Sequence, residues 1–106
     1  MNLYVHVPFC VSKCRYCAFH SETGASAEAL AAFPRLIARE GSLRAPGARP
    51  TTLYLGGGTP SSLGPDGLRA LAAALPALAD GAEFTVELNP ADVDAPLAEA
   101  LRAAGV

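Results

Sequence analysis

Apolar and polar positions alternate in three short stretches of this chain, as they do in strands. Residues 2–7 place Leu3, Val5 and Val7 on one side and Tyr4 and His6 on the other, with the β-branched and aromatic content that strands favour. Residues 83–88 repeat the pattern: Glu83, Thr85 and Glu87 share a side with Asn89, opposite Phe84, Val86 and Leu88. A further strand is expected at 51–55, between a Gly- and Pro-dense connector at 41–50 and the run Gly56-Gly57-Gly58-Thr59-Pro60.

Three helices fill the gaps. Ala- and Leu-rich residues 25–40 form the first, with Pro34 in the first turn of its main part or at a kink. The second is expected at 65–75, where Pro65 suits the opening turn and Asp66 the positive end of the helix dipole. The third, at 95–104, has Asp94 as N-cap and Gly105 just past its end. The order βαβαβα predicts an α/β fold with a parallel sheet and right-handed crossovers. The apolar strand face would take the helices. The polar face suggests a barrel-like lumen that hosts a ligand rather than a sheet buried on both sides.

Composition narrows the classes. The chain has 106 residues, which allows one small domain burying roughly two thirds of its unfolded surface. Hydrophobic residues make up 51%, charged residues 17%, and the formal net charge is −2 without a basic run, so neither disorder nor a nucleic-acid surface is indicated. The longest apolar stretch, 70–79, is short and carries Pro76, which excludes a transmembrane helix there. The N-terminus does not read as a signal peptide, and the expected location is the cytoplasm. Three βα units do not close a barrel, and the third strand would be left as an open edge. Residues 1–106 are therefore expected to be the N-terminal part of a larger protein.

The chemistry concentrates in the cysteines. All three fall within eight residues, as Cys10-Val-Ser-Lys-Cys14-Arg-Tyr-Cys17, just after the first strand. Parallel α/β folds gather ligands at that end of their strands. Three thiolates suffice for three irons of a [4Fe–4S] cube, leaving the fourth iron open to a small molecule. Two other readings stand beside this one: a zinc site with His20 as fourth ligand, and incidental buried thiols. An odd cysteine count argues against a disulfide framework.

Other candidates cluster at the same end. The glycine turn 56–60 follows a strand and would let backbone groups approach a ligand closely. It lacks the Lys-Ser/Thr of a phosphate-binding loop, and a merely tight turn is the bland alternative. Glu87, in Glu87-Leu88-Asn89-Pro90, would face the lumen beside Thr85 as a ligand contact or a solvated carboxylate. Tyr4 and His6 could line the same face, with His6 read as a hydrogen-bonded strand histidine rather than a metal ligand. Tyr16 would pack near a cluster, and Lys13 and Arg15 would offset its charge or face water.

In order and spacing, the segment from Tyr4 to Cys17, then 56–60, then 87–90, resembles the radical S-adenosylmethionine (SAM) superfamily. Within it the chain resembles the branch of oxygen-independent coproporphyrinogen III oxidases and HemW-type heme chaperones. The closing stretch 101–106 is also similar to that branch. The resemblance implies the N-terminal half of a partial (β/α)6 TIM-like barrel. It implies that Cys10, Cys14 and Cys17 ligate a [4Fe–4S] cluster. It also implies that Tyr4, Tyr16, Gly57, Gly58, Thr59 and Glu87 contact SAM, the glycines and threonine at its methionine end. In the family an electron from the cluster cleaves SAM to methionine and a 5′-deoxyadenosyl radical.

The branch implies porphyrin metabolism, with heme or a porphyrinogen as partner and a flavodoxin or ferredoxin as electron donor. Coproporphyrinogen-oxidising members commonly carry another cysteine two residues after the third, where this chain has Phe19. They also usually carry a longer segment before the first strand. Both features favour the HemW type, a chaperone that binds heme and delivers it to acceptor proteins. The alternatives are the oxidase and a zinc-stabilised module without redox chemistry.

Overall fold

The computed structural model describes residues 1–10, 22–23 and 26–106. Its main sheet has three parallel strands in the order β1 (Asn2–Val7), β4 (Thr52–Gly57), β5 (Glu83–Val86). Between β1 and β4 lie a two-residue parallel pair, β2 (Phe9–Cys10) with β3 (Glu22–Thr23), and helix α1 (Ala27–Arg44). Helix α2 (Gly64–Ala74) joins β4 to β5, and α3 (Ala95–Ala104) follows β5. Short 3-10 turns at Pro60–Leu63 and Pro90–Asp92 lead into α2 and α3.

Strand periodicity sorts the residues as expected. Val5, Val7, Leu53 and Leu55 are buried in one cluster with Phe33 of α1, Leu68 and Leu71 of α2, and Leu97 of α3. Each helix therefore contributes to the same apolar face. Removing that surface from water is the main force holding the layers together. Phe9 joins the cluster edge-on to Phe33, with ring centroids 5.3 Å apart. On the opposite face Tyr4 is 53% exposed and Tyr54 38% exposed. Among the described residues, no helix is long and apolar enough to cross a membrane.

Local chemistry explains the helix ends. The Asp94 carboxylate accepts the Leu97 N–H at 2.9 Å, and Gly105 closes α3 in the left-handed conformation at φ 91°. Both were expected from the sequence. The first helix differs. It starts at the cap Ser26, whose hydroxyl accepts the Ala29 N–H at 3.1 Å, passes through Pro34 and continues beyond Gly41 to Arg44. Pro34 gives up one backbone hydrogen bond, but its ring is buried on the helix's inner side. Past Gly41 the Ser42 hydroxyl bonds back to the Ala38 carbonyl at 2.8 Å, and Arg44 pairs with Glu40 at 3.0 Å. The helix thus runs four residues into the region expected to be a connector.

The strand–turn boundaries shift as well. Gly56 and Gly57 belong to β4, in register with His6 and Val7 of β1. Pairing then runs on past the strand: Gly58 N–H donates to the Val7 carbonyl and Thr59 N–H to the Phe9 carbonyl, both at 2.7 Å. Regular strand pairing in β5 stops at Val86, yet Glu87 N–H still donates to Leu55 at 3.0 Å. The carboxyl ends of all three strands are thereby stitched together.

Candidate functional site

Four side chains meet on the polar face near those strand ends. Tyr4 and Tyr54 are register partners on β1 and β4, and their rings stack at 5.8 Å with 23° between planes. The Tyr54 hydroxyl donates to Glu87 Oε1 at 2.6 Å, a short bond of the kind formed to charged acceptors. The Tyr4 hydroxyl lies 3.4 Å from His6 Nδ1. One row of contacts thus runs from β1 across β4 to the residue after β5.

The hydrogen bond to Glu87 is the largest cause holding the Tyr54 phenol above its ordinary pKa. Desolvation, the negative charge of Glu87 and the neighbouring Tyr4 phenol push in the same direction. Tyr54 therefore stays a neutral donor toward Glu87 across the physiological range.

The glycines have a reason visible in the fold itself. A Cβ on Gly56 would stand 2.9 Å from Tyr54 Cε1 and 3.1 Å from the Tyr4 ring. A Cβ on Gly57, at φ 108°, would come within 2.7 Å of the His6 ring and 2.9 Å of the Val7 carbonyl. Both glycines make room for the chain's own aromatic side chains. The N–H groups of Gly58 and Thr59 already serve the β1 and β2 carbonyls, so what the turn offers a ligand is its close surface.

A second link binds the turns together. Ser61, only 5% exposed, donates to Asp92 Oδ2 at 2.7 Å and receives the Asn89 N–H at 3.4 Å. The Ser62 hydroxyl reaches the Phe9 carbonyl at 3.3 Å. The segments after β1, β4 and β5 are therefore held against one another by side chains as well as backbone.

Of the residues singled out from sequence, Tyr4, Gly57, Gly58, Thr59 and Glu87 all fall at this end of the sheet. Cys10 sits in β2, directly beyond β1. Cys14, Tyr16 and Cys17, with Lys13, Arg15, Phe19 and His20, lie outside the described residues. Sequence reasoning missed Tyr54 and the Ser61–Asp92 pair. Alternation in Thr52-Leu53-Tyr54-Leu55 was the available signal for Tyr54, since it puts that ring opposite the two buried leucines. A cleft of about 600 Å³ runs along the outer side of β1 against the C-terminal half of α1. It borders Tyr4 and His6 but reaches neither the glycine turn nor Glu87, so the polar face is the better candidate for chemistry.

The donor set fits an iron–sulfur cluster with a small polar ligand. Three thiols fall within eight residues, a donor number that suits such a cluster, and the backbone of the first, Cys10, lies in β2 just after β1. Fold and site together define a parallel α/β protein with polar side chains gathered near its strand ends. Residues 4–106 match the radical SAM superfamily, and the chain belongs to it. Membership implies a [4Fe–4S] cluster and SAM as cofactors.

The relatives bear two kinds of name. The oxygen-independent coproporphyrinogen III oxidase of Paracoccus denitrificans is 37% identical over 100% of this chain and 25% of its own length. The heme chaperone HemW of Mycobacterium tuberculosis is 37% identical over 98% of the chain and 29% of its own length. Among solved structures, coproporphyrinogen III oxidase (HemN) from Escherichia coli, a radical SAM enzyme, superposes with a TM-score of 0.86 at 28% identity. That match covers 98% of this chain and 25% of the other. The chain thus spans about a quarter of the length of these relatives.

Proposed function

We propose that residues 1–106 form the cluster- and SAM-holding part of a HemW-like heme chaperone working in the cytoplasm, where thiols stay reduced. The observation that supports the cofactor reading is the Tyr4–Tyr54–Glu87 row on the polar face of the sheet whose first strand leads into Cys10. Cys10, Cys14 and Cys17 would hold the cluster as thiolates, leaving one iron for SAM. When bound, the cluster and SAM supply one-electron chemistry.

The chain's own residues bind and orient. Tyr4 presents a ring face and Glu87 a carboxylate that accepts from N–H or O–H donors of SAM. Gly57, Gly58 and Thr59 would form the close surface for its methionine end, and Tyr16 is assigned to the neighbourhood of the cluster by the family resemblance alone. Heme would be the cargo of the full protein, and a flavodoxin or ferredoxin its electron donor.

Phe19 favours the chaperone, because it stands where oxidising members commonly carry a further cysteine. The second reading is an oxygen-independent coproporphyrinogen III oxidase, which the 37% identity to the Paracoccus denitrificans oxidase supports. The deciding experiment incubates the full protein, anaerobically reconstituted with iron and sulfide, with SAM, reductant and either heme or coproporphyrinogen III. Tight heme binding without porphyrinogen turnover is expected. Formation of protoporphyrinogen would establish the oxidase instead, and zinc in place of iron would remove both readings.

A further inference from the structure

Tyr54 touches two of the side chains proposed to contact SAM, Tyr4 and Glu87, although neither cysteine spacing nor the glycine turn pointed to it. Its ring lies on Tyr4 from the neighbouring strand, and its hydroxyl holds one oxygen of Glu87. Among the described residues, only Tyr54 donates to the Glu87 carboxylate. Glu87 follows β5, so its side chain springs from the point where regular strand pairing has ended. An exposed glutamate there would otherwise sample several rotamers at an entropic cost on ligand binding.

We propose that Tyr54 is a positioning residue for the SAM site, fixing the Glu87 carboxylate through its hydroxyl and the Tyr4 ring through its face. With Oε1 engaged by Tyr54, the second carboxylate oxygen is left to accept from a donor on the ligand. An amino group or a ribose hydroxyl has that chemistry. The stack lets Tyr4 offer a plane already held in place, as pre-organised recognition requires. Gly56 completes the arrangement, because a Cβ there would strike both rings. The inference rests on the proposed SAM-binding role of this face.

The test is a double-mutant cycle on the full protein after anaerobic reconstitution, reading SAM affinity by equilibrium dialysis, iron content and thermal midpoint. Tyr54→Phe keeps the stack and deletes the hydroxyl. It is expected to raise the dissociation constant for SAM about fivefold, the scale of one partly solvated hydrogen bond, with iron content unchanged and the midpoint lowered by only a few degrees. Glu87→Gln is expected to weaken SAM binding more.

If Tyr54 acts through Glu87, the double variant binds SAM no more weakly than Glu87→Gln alone. A strictly additive double variant, or an unchanged affinity in Tyr54→Phe beside a weakened Glu87→Gln, overturns the proposal while leaving the SAM site standing. Loss of iron in Tyr54→Phe also overturns it, since the role would then be structural. If the parent protein holds its cluster and does not bind SAM, the underlying site reading fails instead.

Discussion

On one side of the β1–β4–β5 sheet, Val5, Val7, Leu53 and Leu55 disappear beneath three helices. On the other, residues one step along the same strands, Tyr4, His6 and Tyr54, stay within reach of water and of each other. The backbone and hydrogen-bond ladder are shared, and only the side-chain parity differs. The buried side is held by apolar contact with no direction. The open side is held by a stack, a short hydrogen bond and glycines that leave space for rings. Stability is thereby written on one face and the proposed binding on the other, and changes on each should separate the two.

The largest effect is expected from the buried side. Leu71→Ala removes a fully covered side chain from the α2 surface and should cost about 2–5 kcal/mol, read from the denaturant midpoint. A loss below about 1 kcal/mol would mean that the helix layer is not the stabilising one.

Gly57→Ala probes the seam between the faces. With φ at 108° and the His6 ring in the way, it should cost roughly 1–3 kcal/mol and also weaken SAM binding. Unchanged stability would show that the ring moves aside without effort.

Ser61→Ala tests the tie between the turns after β4 and β5. It removes the donor to Asp92 from a buried position and should cost about 1 kcal/mol by the same denaturation measurement. A neutral result would leave backbone pairing alone to hold the strand ends together.

The smallest expected effect is alkaline. The folded Tyr54 phenol ionises above its ordinary value of 10.0, chiefly because it donates to Glu87. The native state thus holds this proton more tightly than the unfolded chain. Its contribution is whole below pH 10.0 and is lost as pH rises through the raised native value. Stability measured against pH should fall over that window in the parent and fall less steeply in Tyr54→Phe. Identical slopes would show that the Tyr54–Glu87 bond does not persist in solution.

The parts of the fold legible in sequence were those decided locally. Asp94 and Gly105 announced both ends of α3 because a cap and a left-handed terminator act within one turn. Strand faces were legible for β1 and β5 because parity needs no partner. Gly41 misled, since its cost of roughly 1 kcal/mol in a helix is small enough for the helix to run on through Ser42 and Arg44.

Two of the three glycines after Leu55 proved to be strand residues, because their pairing with His6 and Val7 is a property of the neighbouring strand. The β2–β3 pair and the Ser61–Asp92 bond were illegible for the same reason: their partners are distant in sequence. In the candidate site, Tyr4 and Glu87 could be placed on a face from sequence. Only the three-dimensional register revealed Tyr54 between them.

Mössbauer spectroscopy of the full protein, reconstituted anaerobically with iron-57 and recorded with and without SAM, tests the central claim most directly. The account predicts a four-iron cluster in which one iron differs from the other three and shifts when SAM is added. A protein that takes up zinc and no iron, or four irons indifferent to SAM, would contradict it.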